Sequence, residues 1–227
     1  MEPMAIVFSI GPFGITRTVV TTWGIMLVLG AFSALATRRL RDTPGAVQTL
    51  LEGVVTAIED AVTAVLPQGG RMLVPFVGTL WIFLVIANLT GIVPGLHSPT
   101  ADLSLTAALA LLVFLSVHWY GIRAEGLRVY ARHYLSPNPI MLPFHIISEL
   151  SRTVALAVRL FGNITSLETA ALLVLIVAGF LAPVPILLLH IVEALVQAFI
   201  FGMLALVYIA GGIQSQRLSK ERKGSES

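Results

Sequence analysis

Polar and ionisable side chains interrupt long runs of leucine, valine, isoleucine and alanine in the C-terminal part of the chain. A charged group at the centre of a membrane-spanning helix costs about 2.5–3.5 kcal/mol even on the lenient insertion scale, so it usually marks an ion pathway or a partner. We therefore expect these residues to mark an ion pathway or a contact with a partner. Between Ile140 and Gly212 the set comprises Glu149, Arg152, Arg159, Asn163, Glu168, His190, Glu193 and Gln197. For Glu149 and Arg152 an internal hydrogen bond or a snorkelling side chain is an equally good explanation.

Helical spacing shows which of the residues Arg159, Asn163 and Glu168 share a face of a helix. Arg159 and Asn163 are four residues apart and share a face of a helix, whereas Glu168 follows Arg159 by nine residues and points about 180° away. We therefore expect the arginine and the glutamate to point to different compartments.

A second polar stripe follows on the returning helix, where His190, Glu193 and Gln197 have i, i+3, i+7 spacing. A reversal between Gly179 and Pro185 would form an antiparallel hairpin. A histidine facing a glutamate in a narrow wet cavity can relay protons. Two such ligands without a third at helical spacing do not indicate a metal site, and we expect no metal or cofactor. The hairpin places two pairs at similar depths: Arg159 with Gln197, and Glu168 with His190.

Composition indicates that most of the chain lies in lipid. Of its 227 residues, 56% are hydrophobic and 11% are charged, and the mean hydropathy is +0.91. Soluble domains carry roughly 25% charged residues. The absence of cysteine excludes disulfides and thiolate metal sites, and a net charge of +2 is too small to indicate nucleic-acid binding. No basic segment precedes the first apolar run, so we predict no signal peptide.

We predict an all-α integral membrane protein that forms a single membrane domain over residues 1–227. A spanning helix needs about 20 mostly apolar residues. Between the first two spans, apolar and polar residues alternate with a helical period, which predicts an amphipathic helix over 43–66 on the cytoplasmic surface. The five predicted spans are 19–37, 75–94, 103–122, about 145–178 and 185–212.

Basic residues predict the orientation, because short cytoplasmic loops retain them. An outer N-terminus and a cytoplasmic C-terminus place 11 of the 14 lysines and arginines on the cytoplasmic side. The segment from Ile140 to Gly179 would measure about 60 Å as one helix, so it must break or tilt steeply. A tilted helix suits a protein lying against a curved partner. Two alternatives stay open: a secondary ion transporter, which the lack of an internal repeat disfavours, and a membrane scaffold subunit.

Two motifs resemble those of F-type ATP synthase subunit a. The first is Arg159-Leu160-Phe161-Gly162-Asn163 with Glu168 nine residues after the arginine, and the second is Gln197-Ala198-Phe199-Ile200-Phe201 with His190 seven residues earlier. The residues Pro99-Thr100-Ala101-Asp102-Leu103, and Asn88 with Pro94, are also similar to that family. The resemblance extends from about residue 40 onward and is most specific over residues 148–208.

The resemblance implies a stator subunit of the membrane Fo sector that catalyses no bond chemistry itself. Arg159 would face a ring of c subunits and meet each ring carboxylate in turn. Two offset half-channels would carry protons or sodium ions and couple their flow to ring rotation. The residues implied for ion translocation are Arg159, Asn163, Glu168, His190, Glu193 and Gln197.

The implied partners are the c-subunit ring, the peripheral-stalk b subunits and the lipid of a bacterial or archaeal plasma membrane. The sequence departs from the usual pattern at Thr153, where proline is common, at Glu193, which adds a carboxylate, and at Gly91, where some members have an acidic residue. These departures resemble the N-type branch of the F-ATPases, and they leave the coupling ion open.

Overall fold

A computed structural model describes residues 6–10, 13–38, 45–93, 96–126, 142–178 and 184–224. Within them, five helices are long and apolar enough to cross a membrane. This confirms the predicted all-α membrane class. Two short strands come first, and the elements in chain order are β1 (Ile6–Ile10), β2 (Phe13–Thr16), α1 (Arg17–Thr37), α2 (Ala46–Val65), α3 (Val74–Leu89), α4 (Leu103–Glu125), α5 (Leu142–Ala178) and α6 (Val184–Gly224).

A strand pair precedes α1 and was not among the predicted elements. β1 and β2 pair antiparallel, with Ile10 opposite Phe13 and Ile6 opposite Thr16. Both strands are rich in β-branched and aromatic residues, and Gly11-Pro12 stands between them in the sequence. That combination is a hairpin signal.

Helix α1 packs weakly against the rest of the chain, and Ile25 is its one buried residue. Its start is tied to α4 by a hydrogen bond of 2.8 Å that Thr18 Oγ1 donates to Asp102 Oδ2. Asp102 also caps α4 by accepting from the backbone N–H of Ser104 at 2.9 Å. Partial burial raises the pKa of Asp102, but the hydrogen bonds from Ser104 and Thr18 together outweigh that effect and leave the pKa below its ordinary value.

Helix α2 occupies the segment for which an amphipathic helix was predicted. Ile58 and Val62 are buried against α3, and Leu66 continues this contact just beyond the helix. The opposite end of the helix leaves apolar side chains exposed, among them Val47 and Leu50. An exposed ion pair of 2.8 Å joins Arg71 to Glu59.

Helix α3 is the most enclosed element and packs closely on α6. A Cβ atom on Gly202 would overlap the indole ring of Trp81, so glycine is required where the two helices cross. The Trp81 Nε1–H donates to the carbonyl oxygen of Phe199 at 3.3 Å. The regular helix ends at Leu89, five residues before the predicted end of the second span, and a 3₁₀ turn continues it through Thr90–Ile92.

Helices α5 and α6 form the hairpin on which the polar residues lie. α5 is one unbroken helix of 37 residues, about 55 Å long. Of the two expectations for this segment, a break or a steep tilt, the break does not occur within α5. α6 has 41 residues and extends twelve residues beyond the predicted end at 212. Most of the reversal predicted between Gly179 and Pro185 lies outside the described residues, as do Pro94 and residues 39–44.

Two apolar clusters join the helices. The first unites α3, α4, α5 and α6 around Leu84, Leu160 and Phe201. The second unites α2, α3 and α6 around Val62, Val77 and Leu206. Large apolar side chains outside these clusters are exposed on every spanning helix, as expected for surfaces that contact lipid.

Candidate functional site: the polar face of the helical hairpin

Arg159 lies near the middle of α5 and is exposed. The residues three positions before and one position after it, Leu156 and Leu160, are buried in the first apolar cluster. The arginine therefore points away from the packed core. It makes no hydrogen bond or ion pair with any of the described residues. Its positive charge therefore has no counter-charge among the residues that the structure describes, although the span around it is apolar.

One turn after Arg159, Asn163 connects α5 to α6. Its Nδ2 donates to Gln197 Oε1 at 2.8 Å. Gln197 is 1% exposed, and its Nε2 has no hydrogen-bond partner among the described residues. Gln197 thus lies beside the Arg159 turn, as the hairpin register predicted. A buried amide donor without a partner indicates space for water or for an acceptor supplied by another molecule.

Glu168 and His190 converge on the backbone of Gly91. A Cβ atom at Gly91 would lie 2.6 Å from Glu168 Oε1, 3.1 Å from Ser98 Cβ and 3.3 Å from His190 Cε1. The backbone N–H of Ser98 donates to Glu168 Oε1 at 3.0 Å. His190 is 1% exposed, and its Nε2 lacks a partner within the described ranges. The carboxylate and the imidazole therefore share a site that exists because residue 91 has no side chain.

A chain of buried polar contacts continues from this site. Ser98 Oγ donates to the carbonyl oxygen of Ala87 at 2.9 Å, and Thr100 Oγ1 donates to Asn88 Oδ1 at 2.7 Å. The two hydroxyl oxygens are themselves 2.6 Å apart. Asn88 Nδ2 then reaches the carbonyl oxygen of Ala194 at 3.1 Å. Three hydroxyl contacts share two hydroxyl protons, so the pattern of donors can rearrange within this network.

Ser98 and Thr100 were not among the predicted site residues. Asn88 and the segment beginning at Pro99 were noted only as similar to a family. The only signal in the sequence was a serine and a threonine a few residues before α4, and hydroxyl residues are common in such loops. Only the folded positions show that Ser98 contacts Glu168.

Glu193 lies three residues after His190 on the same stripe of α6 and is half-buried. It makes no hydrogen bond or ion pair with another described residue. No group of three or more histidine, cysteine, aspartate or glutamate side chains suited to a metal occurs in the described part of the chain.

A second polar cluster lies toward the start of α5. His118 Nε2 on α4 is 3.8 Å from Glu149 Oε2 on α5. The Arg152 guanidinium lies over the ring of Tyr208 on α6, with its central carbon 5.4 Å from the ring centroid. Thr153 donates its hydroxyl to the carbonyl oxygen of Glu149 at 3.0 Å.

Comparison with known proteins identifies the family. The family model described as ATP synthase A chain matches residues 19–210. The chain belongs to the ATP synthase A chain family. It is 62% identical over 227 residues to ATP synthase subunit a 2 of Pelobacter propionicus, with all of both chains covered. It is 63% identical over 218 residues to ATP synthase subunit a 1 of Hahella chejuensis, covering 96% of this chain and 93% of that one.

A third relative, ATP synthase subunit a of Legionella pneumophila, is 57% identical over 215 residues, with 94% of each chain covered. The family model includes all six residues predicted to translocate ions. Membership of the ATP synthase A chain family and five apolar helices together identify an integral membrane component of an F-type ATP synthase.

Proposed function

We propose that this chain is the stator half of the Fo ion channel and couples ion flow to rotation of a c-subunit ring. It takes no part in bond chemistry, which occurs elsewhere in the complex during ATP synthesis or hydrolysis. The proposal rests on Arg159, which is exposed and pairs with no residue in the described part of the chain. A guanidinium in an apolar span without a counter-charge is costly, so the counter-charge is supplied by another subunit. A carboxylate passing on a rotating ring meets this requirement.

The surroundings of Arg159 suit a close approach by a partner helix. Gly162 follows by three residues, shares its face and is exposed. A Cβ atom added there meets nothing within 4 Å. Small residues let helix backbones approach closely within a membrane. Asn163 and Gln197 then lie on the side of the arginine that faces the core of the chain.

The site over Gly91 is the protein side of one half-channel. Glu168 and His190 can exchange a proton through one water, since both reach the same small space and both have groups suited to proton transfer. Glu193, one turn further along α6, extends the polar stripe from His190 toward Gln197. The ion reaches the ring carboxylate from this stripe, near Arg159.

The remaining topology follows the charge pattern. The N-terminus lies outside, the C-terminus is cytoplasmic, and α2 lies on the cytoplasmic membrane surface with Val47 and Leu50 toward lipid. The b subunits of the peripheral stalk hold this stator against the turning ring. The cell membrane of the bacterium contains the whole assembly.

The test replaces Arg159 with alanine and separately with lysine in the whole complex. ATP synthesis driven by an ion gradient is measured in vesicles that contain equal amounts of assembled complex. Arg159→Ala is expected to abolish synthesis, and Arg159→Lys to fail largely, because a desolvated ammonium can lose its proton and lacks the planar fork. Arg71→Ala is the matched control, since Arg71 pairs with Glu59 on an exposed surface. Near-normal synthesis by Arg159→Ala would refute the proposed mechanism.

Purification separates this proposal from a secondary transporter or a scaffold. Only a stator subunit must co-isolate with a small, highly hydrophobic ring-forming subunit. A transporter would move ions when reconstituted alone, and a scaffold would tolerate Arg159→Ala in assembled complexes.

A further inference from the structure

Helix α3 donates two side-chain hydrogen bonds to the backbone of α6, one on each side of Gln197. The Trp81 Nε1–H donates to the carbonyl oxygen of Phe199 at 3.3 Å. Asn88 Nδ2 donates to the carbonyl oxygen of Ala194 at 3.1 Å. A carbonyl oxygen has two lone pairs, so each can accept these bonds beside the bond within its own helix. The stretch of α6 that carries Gln197 is therefore attached to α3 at two points.

Small side chains on α6 leave both carbonyl groups open to α3. In a helix each side chain leans over the preceding turn, so the residues three and four positions later cover a given carbonyl group. One of these residues is Gly202 for Phe199, and one is Ala198 for Ala194. A Cβ atom on Gly202 would overlap the indole ring of Trp81, so the ring fills the space where a side chain would stand. The contact thus needs a large donor on α3 and a missing side chain on α6.

The Trp81 ring also restricts rotation of α6 about its own axis. The ring is buried and lies nearly parallel to the ring of Phe199, with the centroids 5.9 Å apart and the planes at 8°. Turning α6 would separate these stacked rings and lengthen the bond to the Phe199 carbonyl oxygen. Three contacts of one side chain, with a ring, a carbonyl oxygen and the space at Gly202, therefore favour one orientation of α6.

The orientation of α6 decides whether Gln197 reaches α5. Asn163 Nδ2 donates to Gln197 Oε1 at 2.8 Å, one turn after Arg159. A side-chain atom about 5 Å from the helix axis moves by about 1.3 Å when the helix turns by about 15°. Directed away from Asn163, this movement would lengthen the contact to about 4 Å, which is beyond hydrogen-bond range. A small rotation of α6 is thus enough to separate the two amides beside Arg159.

We propose that Trp81 is a positioning residue for coupled ATP synthesis, because it holds α6 in the rotation at which Gln197 meets Asn163 beside Arg159. The effect on synthesis rests on the proposed function. In this role Trp81 acts through α6 and not by touching the ion. A role in packing alone predicts a different outcome: loss of Trp81 would lower the yield and thermal stability of the complex, but not the rate of each complex that assembles.

The first measurement detects the rotation of α6 directly. The natural chain contains no cysteine, so introduced pairs can be crosslinked without background from this subunit. Asn163→Cys is combined in turn with Val196→Cys, Gln197→Cys and Ala198→Cys, and each assembled complex is treated with a short reagent that bridges two thiols. With Trp81 present, the pair at 163 and 197 should give the highest yield. Trp81→Phe should lower that yield at least about twofold relative to the flanking pairs, since bridging needs close and correctly directed side chains.

The second measurement is gradient-driven ATP synthesis per assembled complex in vesicles. Trp81→Phe, which removes the N–H donor, is expected to lower the rate by about two- to tenfold, the range in which one neutral hydrogen bond changes a rate. A benzothienyl analogue at position 81 keeps the bicyclic ring and replaces the N–H with sulfur. It should lower the rate in the same range, and it serves as the test if Trp81→Phe does not assemble. Trp23→Phe is the matched control, because Trp23 is exposed on α1.

Three results would overturn the inference. One is wild-type crosslinking together with a wild-type rate in Trp81→Phe and in the analogue. Another is a changed crosslinking pattern with a normal rate, because the orientation of α6 would then not matter for coupling. The third is a reduced rate with unchanged crosslinking, because Trp81 would then act without positioning Gln197.

Failure of this inference is distinguishable from failure of the proposed function. If Arg159→Ala uncouples the complex while Trp81→Phe and the analogue behave as wild type, the positioning role alone is refuted. If Arg159→Ala remains coupled, the stator mechanism fails, and a changed crosslinking pattern would then show only that Trp81 orients α6.

Discussion

Replacing Gly91 with alanine tests whether the Glu168 and His190 site is built around a missing side chain. The new Cβ atom would lie 2.6 Å from Glu168 Oε1 and 3.1 Å from Ser98 Cβ. Ordinary contacts are about 3.3 Å or more between carbon and oxygen and about 3.5–4.0 Å between carbons, so the carboxylate must move by roughly 0.7 Å and Ser98 by at least about 0.4 Å. These shifts pull apart the 3.0 Å hydrogen bond between Ser98 N and Glu168 Oε1.

Hydrogen bonds to charged groups contribute about 1.5–3 kcal/mol, and each 1.36 kcal/mol in a barrier changes a rate about tenfold. We therefore expect Gly91→Ala to slow gradient-driven ATP synthesis by about 10- to 100-fold per assembled complex. Gly30→Ala on α1 is the control, because a Cβ atom there meets nothing within 4 Å. Adding Glu168→Asp, which shortens the carboxylate by one methylene, should restore part of the rate. A wild-type rate in Gly91→Ala would show that Glu168 does not work from this position.

Three further predictions concern other parts of the chain. Gly162→Leu, at a position with open space in this chain, should permit assembly but strongly reduce coupled synthesis; normal synthesis would mean that no rotor helix passes close by. Because the pKa of Asp102 is lowered in the folded chain, its carboxylate stabilises the fold above its ordinary pKa, and this stabilisation is lost on acidification below about pH 4. In thermal unfolding measured against pH, Asp102→Asn should therefore reduce this loss of stability at low pH. Gly202→Ala would force a methyl group into the Trp81 ring and should lower the melting temperature of the complex, unlike Gly211→Ala, which meets nothing within 4 Å.

The sequence predicted the spanning helices because their signal is local. About 20 consecutive apolar residues identify a span wherever it packs, and a 3.6-residue period identified α2. The outward position of Arg159 could also be predicted from the sequence, since no acidic residue of its own chain lies one turn away on the same face. Helix ends were harder to predict, because polar side chains such as Asn88 and Thr90 do not mark where α3 stops.

Contacts between distant helices were not available from spacing alone. His118 and Glu149 are separated by 31 residues, and their proximity depends on how α4 packs against α5. The role of Gly91 was equally hidden, because a glycine at the end of a span normally indicates only a turn. Its importance appears when Glu168 of α5 and His190 of α6 are both found against it.

In the proposed stator mechanism, the fixed charge of Arg159 prevents an ion from leaking directly past it. A hydrated proton that passed within about 4 Å of the guanidinium would face a repulsion of about 4 kcal/mol at an effective dielectric constant of 20, which slows passage roughly a thousandfold. A ring carboxylate avoids that barrier because it carries the proton as a neutral acid and approaches the arginine only after losing it. At the distance of Glu168, about 13.5 Å along the axis, the same repulsion falls to about 1.2 kcal/mol, so protons can still occupy that site. In this mechanism Arg159 must therefore lie far enough from Glu168 to leave that site usable, and the separation of nine residues along α5 meets that requirement.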